Sequence, residues 1–194
     1  SDGSQLLELP VETYINSMVL GGDGRIVVQT YGEKGITLRE VDLETQSFGR
    51  EQLIDNSSYS NILPARMYSL LLDDRDSIYG YDMATGEKTK LLNWIDSDMD
   101  VNQINSVAQI AEDKLICLGY SAVDYKSELT ILTKVDPSTI PERKVITLGA
   151  GYLSYEMRRA VIQFNKTNEA FRIQVRDYST YNTMEDYSAG LQRL

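Results

Sequence analysis

The sequence predicts a mainly β protein with a C-terminal α/β segment, and three observations carry this prediction. Short runs of alternating apolar and polar residues, broken by turn signals about every ten residues, extend over residues 9–136. The segment that starts at Ile15 aligns without gaps to the segment that starts at Ile104, 89 positions later. Between Lys144 and Ser179 the hydrophobic period changes twice, which is typical of a strand, a helix and a second strand.

The composition argues against several classes of protein. The chain has 194 residues, no histidine and one cysteine. The usual base of serine and cysteine hydrolases is therefore missing, and neither an internal disulfide nor a Cys/His zinc site can form. A net charge of −10 repels phosphate backbones, so no nucleic-acid partner is expected. We predict a protein that is not an enzyme, with no catalytic residue, no cofactor and no metal.

Residues 9–136 are predicted to form three repeats of antiparallel strands, at about 14–54, 57–95 and 104–136. The first repeat has the pattern of a four-stranded meander, with strands at 14–20, 25–31, 36–42 and 48–53. The second has clear strands at 67–73, 77–81 and 88–94, and the third at 107–110, 114–120 and 128–135. A fourth strand of the third repeat either starts at Lys144 or is absent. Such stacked meanders resemble blades of a β-propeller, and three of them leave an open ring or part of a larger one.

An Asp-x-x-Thr motif follows an alternating strand in each repeat, at Asp42, Asp82 and Asp136. Aspartate at the first position of a turn accepts a hydrogen bond from the backbone two residues on. The motif is therefore predicted to mark a hairpin corner, which is a structural role.

Residues 137–143 are predicted to be a linker, because two prolines stand among polar residues there, and the α/β segment occupies 144–194. Its first strand is predicted to be buried and to end in a glycine loop; it comprises Val145, Ile146, Thr147 and Leu148. A helix follows with Ser154 as its N-cap and an apolar stripe of Leu153, Met157, Ala160, Val161 and Phe164. A second strand carries Phe171, Ile173 and Val175, and we predict a right-handed crossover between two parallel strands.

A second helix is predicted close to the end of the chain. Asn182 and Glu185 have the spacing of a capping box. The apolar face of this helix is expected to carry Met184, Tyr187, Leu191 and Leu194. A helix of about 12 residues is marginal alone, so its end is expected to fray unless it is packed.

These residues carry a resemblance to a known family. The strand, the glycine loop, the helix ending FNKTN and the strand FRIQVRDYS are similar to the opening of the extracellular solute-binding proteins that serve ABC importers, which include many sugar-binding lipoproteins. The passage YGYDMATGEKTKLLNWIDSD resembles propeller-like repeat domains that precede the solute-binding part in some bacterial lipoproteins.

The resemblance implies a fold and a function. Residues 144–194 would be the first β-α-β-α of a periplasmic-binding-protein-like lobe, and residues 1–8 a solvated tether. The parent protein would bind a sugar or oligosaccharide, deliver it to an ABC permease, and be extracellular, lipid-anchored to the outer face of the cytoplasmic membrane of a bacterium. The chain is expected to be a fragment without a complete ligand cleft, and hence without measurable solute affinity.

The resemblance also implies a ligand site. In the family the loop after the first strand lies at the ligand cleft, which corresponds to the loop from Gly149 to Tyr155 in this sequence. Glycine lets a backbone approach a ligand closely, and tyrosine stacks on sugar faces and donates a hydrogen bond. The predicted ligand-binding residues are Gly149, Gly151, Tyr152, Tyr155, Tyr178 and Tyr181. The alternative is a plain β-α turn, with Tyr178 and Tyr181 covering the helix.

Other candidate residues favour structural roles. Asp96, Asp98, Asp100 and Asn102 are spaced like calcium ligands, but Val101 stands where the calcium loop needs glycine, so a solvated acidic loop is predicted. The carboxylate pairs Asp73–Asp74 and Glu185–Asp186 are predicted to be surface residues rather than glycosidase pairs. Cys117, Trp94 and Tyr79 are predicted to be core residues. The rival hypothesis for the whole chain is a β-repeat interaction module that binds a cell-surface glycan or a protein partner.

Overall fold

The computed structural model describes residues 3, 7–33, 35–54, 61–121, 126–183 and 185–194. Most of the predicted tether, the start of the second repeat and Met184 lie outside the described residues. The chain is mainly β, as predicted. It divides into two compact units, of which the first comprises Ser1–Leu92 and Ile104–Lys134 and the second comprises Asn93–Gln103 and Val135–Leu194.

The first sheet is a four-stranded antiparallel meander. Its strands follow the chain in the order β1 (Tyr14–Leu20), β2 (Ile26–Gly32), β3 (Gly35–Asp42) and β4 (Ser47–Ile54). The four strands predicted from period-2 alternation are confirmed to within one residue at each end. A β-bulge between Ile15 and Ser17 shifts the register of β1 against β2.

Two further antiparallel sheets complete the first unit. The second sheet contains β5 (Asn61–Leu63), β6 (Leu70–Asp73), β7 (Ser77–Tyr81) and β8 (Lys88–Asn93). The third contains β9 (Ile104–Ala111), β10 (Lys114–Tyr120) and β11 (Ser127–Thr133), with β10 in the centre. Strand β5 was not predicted, and the strand predicted at 67–73 begins only at Leu70. Among the described residues the third sheet has no fourth strand, since the strand from Lys144 pairs elsewhere.

The internal sequence repeat is also a repeat of strand register. Val19 lies opposite Val27 in the first sheet, and the residues 89 positions later, Ala108 and Ile116, lie opposite each other in the third. Three further pairs in the first sheet are matched in the same way: Ser17–Gln29, Met18–Val28 and Leu20–Ile26. The pairs 89 positions later are Ser106–Leu118, Val107–Cys117 and Gln109–Leu115, respectively. The two segments therefore form the same hairpin.

The apolar core of the first unit includes side chains of both the first and the second sheet. It contains Val27, Ile36, Leu38 and Ile54 from the first sheet, and Ile62, Leu70, Leu72, Tyr81 and Met83 from the second sheet and its β7–β8 turn. The junction is also hydrogen-bonded, because the side chain of Gln52 donates to the Met83 carbonyl at 2.7 Å and accepts from the Tyr81 hydroxyl. The two sheets thus pack face to face.

The Asp-x-x-Thr turns form as predicted in the first two repeats. The Asp42 carboxylate accepts backbone N–H bonds from Glu44 and Thr45 at 2.9 and 3.0 Å, at the corner between β3 and β4. Asp82 makes the equivalent bonds between β7 and β8. Asp136 caps a short 3-10 helix after β11 instead, so the prediction of a third hairpin corner is wrong. The motif specifies a local turn, and a partner strand must be supplied by the rest of the fold.

These turns make the protein sensitive to acid. The pKa of Asp82 lies below its ordinary value of 3.8, because the carboxylate accepts backbone N–H bonds from Thr85 and Ala84. A depressed folded-state pKa contributes stability that is present above the unfolded pKa and lost as pH falls through the folded value. We expect the midpoint temperature of thermal unfolding to decrease as the pH is lowered below about 4. This decrease is expected to be smaller in Asp82→Asn. Thermal melts from neutral to strongly acid pH test this, with Glu87→Gln as the control for charge; equal slopes in both variants would refute it.

The second unit contains a β-α-β element with parallel strands. It consists of β12 (Lys144–Ala150), α1 (Tyr155–Thr167) and β13 (Phe171–Asp177), and the two strands pair in parallel from Lys144–Phe171 to Ala150–Asp177. The predicted strand, helix and parallel strand are confirmed, as is Ser154 as N-cap, whose hydroxyl accepts from the Met157 N–H at 3.2 Å.

Two predictions about burial in this element are wrong. Strand β12 is mostly exposed rather than buried, because β13 is its only partner strand within the described residues, and Val145 and Ile146 are 58% and 46% exposed. Helix α1 buries Val161, Ile162 and Asn165, whereas Met157 is exposed. The buried face is rotated from the predicted stripe because Asn165 bonds to β13.

The predicted long second helix is also wrong. Among the described residues after Tyr181, only Ala189–Gln192 (α2) form an α-helix, and this helix follows the 3-10 helix Ser179–Tyr181. Thr183 accepts backbone N–H bonds from Glu185 and Asp186 and closes a turn instead of starting a helix. No helix among the described residues is long and apolar enough to cross a membrane.

Candidate functional site

The candidate site lies where the two parallel strands of the second unit end. Strand β12 ends at Ala150 and β13 at Asp177, and the Tyr178 N–H donates to the Ala150 carbonyl at 2.7 Å. This bond continues the parallel ladder by one step. The structure therefore brings the glycine loop and the segment after β13 together, as the predicted site requires.

The asparagines of the FNKTN passage build this element. The Asn165 carboxamide donates to the Ile173 carbonyl at 2.9 Å and accepts from the Ile173 N–H at 2.7 Å, so it pairs α1 with the outer edge of β13. Asn168 ends the helix and accepts from the backbone of Ala170 and Phe171, which starts β13. Arg143 donates to the carbonyls of both asparagines. The passage that carries the family resemblance thus has a structural role.

Four tyrosines surround the carboxyl end of the strand pair. The rings of Tyr178 and Tyr181 are 6.0 Å apart between centroids and inclined at 45°. Tyr152 is 77% exposed, and Tyr155 and Tyr181 are also exposed. The Arg159 guanidinium lies 5.5 Å from the centre of the Tyr155 ring, and Arg193 lies 4.3 Å from that of Tyr181. These cation–π contacts orient the two rings without burying them.

The two glycines of the predicted site face the C-terminal residues. A Cβ at Gly149 would lie 2.8 Å from Leu194 Cδ1, and a Cβ at Gly151 would lie 2.6 Å from Leu191 Cδ2. Both leucines are themselves exposed. Because the two glycines have no side chains, Leu191 of α2 and Leu194 can approach the loop.

The C-terminal helix is held to the segment after β13 by a side-chain hydrogen bond and by a close backbone approach. The Gly190 N–H donates to the Asn182 side chain at 2.7 Å, and a Cβ at Gly190 would lie 2.2 Å from the Tyr178 carbonyl oxygen. Asn182, predicted as a helix cap, thus holds α2 from eight residues away. No local sequence pattern predicts this arrangement, because Asn182 follows a 3-10 helix of three residues and Gly190 lies in a helix of four.

The acidic segment between β8 and β9 is part of the second unit and not a solvated loop. Ile95 packs on Val161 and Ile162 of α1. Asp98 forms an ion pair with Arg172 of β13 at 3.0 Å, and Asp100 is 7% exposed. Within the described part of the chain no group of acidic, cysteine or histidine residues is arranged to hold a metal. The predicted solvation is wrong because apolar neighbours and Arg172 draw the segment inward; neither signal is local in sequence.

The remaining candidates have structural roles. Asp74 accepts from the backbone of Asp76 and Ser77 in the β6–β7 turn, and Asp186 accepts from Ser188. Cys117 is buried, and burial raises the pKa of its thiol to about 11, so it is a poor nucleophile at neutral pH. Trp94 is fully buried, which confirms it as a core residue, whereas Tyr79 is partly buried and packs against the core of the first unit.

Comparison with models of known protein families gives no match to this chain. A comparison with curated proteins likewise finds no significant relative.

Proposed function

We propose that the chain is part of an extracellular solute-binding protein that serves an ABC importer, with a carbohydrate as its solute. The observation that supports this best is the parallel β12–α1–β13 element with exposed tyrosines at the carboxyl end of its strands. In open α/β sheets, ligands bind beyond the carboxyl ends of the strands. In this proposal the second unit is the start of a periplasmic-binding-protein-like lobe, and the three meanders are propeller-like repeats.

The tyrosines supply the chemistry that a sugar needs. A pyranose presents an apolar face to an aromatic ring and hydroxyl groups to its edge, and tyrosine offers a ring and a hydroxyl together. Tyr152 and Tyr181 are exposed on the two segments that the Tyr178–Ala150 hydrogen bond joins. Gly149 and Gly151 shape the loop in this proposal, since leucine side chains lie against them.

The chain provides one wall of the proposed cleft. Small-molecule sites bury most of the ligand surface, and in two-lobed binding proteins this requires closure of both lobes. A single wall leaves the solute mostly in water, so calorimetry with the isolated chain is expected to detect no binding. In this proposal the parent protein delivers the solute to an ABC permease and is lipid-anchored to the outer face of the cytoplasmic membrane.

An amide NMR titration with a panel of mono- and oligosaccharides tests this function. We expect small shift changes at millimolar sugar, confined to residues 150–155 and 178–182, because these backbone groups lie beside the exposed rings. The panel includes an uncharged polyol as the control for nonspecific effects. Shift changes confined to the first unit, or micromolar affinity for the isolated chain, would contradict the proposal of a single carbohydrate-binding wall here.

A second candidate function, a β-repeat interaction module, is favoured by a different observation. One face of the third sheet exposes Leu118, Leu129 and Ile131 on adjacent strands. Apolar side chains that are contiguous and exposed mark interaction surfaces more often than scattered ones do. The same titration discriminates the two functions, since an oligosaccharide that shifts β10 and β11 would favour the module.

A further inference from the structure

Three exposed arginines lie beside the residues of the candidate site. Arg159 of α1 and Arg193 after α2 lie over the rings of Tyr155 and Tyr181, with 5.5 and 4.3 Å between the guanidinium carbon and the ring centre. Arg176 of β13 lies opposite Gly149 in the parallel ladder. Two of the four tyrosines at this site therefore have a cation on the ring, and the glycine loop has a third cation beside it.

Arg176 and Arg193 belong to the same side of the strand pair. Because opposite residues of a parallel ladder project to the same face, Arg176 projects to the face that a Cβ at Gly149 would occupy. On that face Leu194 Cδ1 lies 2.8 Å and the Tyr178 ring 3.5 Å from the Cβ position. Arg193 directly precedes Leu194 in the chain. Both arginines are thus neighbours of the glycine loop and of Tyr178.

The three guanidinium groups have N–H donors to offer. Among the described residues none of them forms an ion pair or donates a side-chain hydrogen bond. Arg172 of the same unit, in contrast, is paired with Asp98, and Arg143 donates to two carbonyls. An arginine that stacks on an aromatic ring keeps its donors at the edge of its plane, in a fork that matches both oxygens of a carboxylate. The arginines at the site can therefore bind an anionic group of a ligand.

The local charge of the site differs from that of the whole chain. The chain has 19 lysines and arginines against 29 aspartates and glutamates. In the two segments that form the site, residues 149–159 and 176–194, four arginines stand against four carboxylates. Two of those carboxylates, Asp177 and Asp186, each accept a backbone N–H bond at 2.8 Å within their own turns. The site is thus a region in which a protein of net charge −10 can accept an anion.

We propose that the solute at this site is an acidic carbohydrate, a sugar that carries a carboxylate, and that Arg176 and Arg193 bind the carboxylate. The inference rests on the proposed carbohydrate function and adds the substrate class to it. A uronic acid offers a pyranose face to an exposed tyrosine ring and a planar carboxylate to a guanidinium fork, with charge-assisted hydrogen bonds. A neutral sugar leaves the arginine donors to water and uses only the rings.

Paired amide NMR titrations with uronic acid glycosides and their neutral counterparts test this class. Methyl glucuronide is compared with methyl glucoside and methyl galacturonide with methyl galactoside, since each pair differs only in a carboxylate in place of a hydroxymethyl group. Physiological salt screens the long-range repulsion and retains the attraction at contact distance. At one fixed millimolar concentration, we expect shift changes at residues 150–155 and 178–182 about two- to fivefold larger with the acidic member of at least one pair.

Three variants assign this preference to the arginines. Arg176→Gln and Arg193→Gln each remove one charge beside the loop, and Lys166→Gln, in the last turn of α1, removes one charge close to the start of β13. We expect each arginine variant to reduce the shift changes with the preferred uronide about twofold and to leave those with its neutral partner unchanged. Lys166→Gln should change neither. If Arg193 served only to hold the Tyr181 ring, Arg193→Gln would weaken the response to both sugars, which would refute its role in binding the carboxylate.

The outcomes separate this inference from the proposed function. Equal shift changes with the acidic and the neutral member of both pairs would contradict the acidic class and leave the carbohydrate function intact. If neither member of either pair shifted these residues, the carbohydrate function and this inference would fail together. Sodium acetate is the control for a simple anion, and shift changes as large as those with the uronides would overturn the inference, since the site would then recognise the anion and not the sugar.

Discussion

Replacement of Asn165 by alanine is expected to destabilise the second unit by about 1–3 kcal/mol, because the N–H and the carbonyl of the half-buried Ile173 lose their partner at once. The Asn165 side chain is 3% exposed and bonds both the N–H and the carbonyl of Ile173. No other strand lies on that side of β13 among the described residues. The carboxamide thus replaces a neighbouring strand for one residue.

Hydrogen exchange at the Ile173 amide measures this effect directly. A chain of two units need not unfold in one step, so a local probe is more informative than a global melting curve. Asn165→Asp keeps the acceptor for the Ile173 N–H and loses the donor, and it is expected to protect the amide partly. Gln163→Ala, an exposed change in the same helix, serves as the control. Unchanged exchange in Asn165→Ala would show that the pairing does not hold β13.

Replacement of Gly22 by alanine is expected to disrupt the junction between the first and second sheets. A Cβ at this position would lie 2.5 Å from the Tyr68 carbonyl oxygen and 3.0 Å from that of Ala65. Both are backbone atoms, so the segment must move, and the Gly22 N–H bond to the Ser69 carbonyl at 3.1 Å would be lost with it. Overpacking of this kind costs about 1–3 kcal/mol or more.

Urea unfolding, monitored through hydrogen exchange at the core amides of Leu38 and Leu70, measures this loss of stability. Gly49→Ala is the matched control, since a Cβ there would meet its nearest atom, Glu40 Cβ, at 3.6 Å, an ordinary contact. We expect the Gly49 variant to unfold at the wild-type urea concentration and the Gly22 variant at a clearly lower one. Equal midpoints would mean that the turn after β1 does not touch the second repeat.

The sequence predicts the strands of the first unit well because each is half-buried and follows a period of two. Strands β1, β7 and β10 have the bounds predicted from alternation. The crossover is predicted as well, since a glycine loop and a capping serine separate the two periods. Local signals of this kind suffice where a residue's partner is a few positions away.

The errors arise where the partner is distant. The burial of β12 depends on how many layers cover it, and the sequence of Val145 to Leu148 does not contain that number. Asn165 faces the sheet because it pairs with Ile173, whereas apolar periodicity favours Met157 and Phe164. Residues 93–103 join the second unit through Ile95 and Asp98, whose partners lie more than sixty positions later. None of these contacts has a local pattern.

The candidate site is predicted only in part. The sequence places tyrosines after both parallel strands, and the structure brings these two segments together through Tyr178 and Ala150. The sequence does not indicate that Leu191 and Leu194 lie against Gly149 and Gly151. These leucines lie in or just after the four-residue helix α2, and their contacts are tertiary. The proposed contacts with a solute therefore rest on the exposed rings.

The effect of single tyrosines on sugar binding tests the proposed carbohydrate wall most directly. Tyr152 and Tyr187 are 77% and 73% exposed, both in the second unit, but only Tyr152 belongs to the glycine loop. At one fixed millimolar concentration of the best sugar of the panel, the amide shift changes should be severalfold smaller for Tyr152→Ala, since about 1 kcal/mol of stacking is lost, and unchanged for Tyr187→Ala. Equal effects of the two substitutions, or no effect of Tyr152→Ala, would contradict the assignment of this loop to the solute.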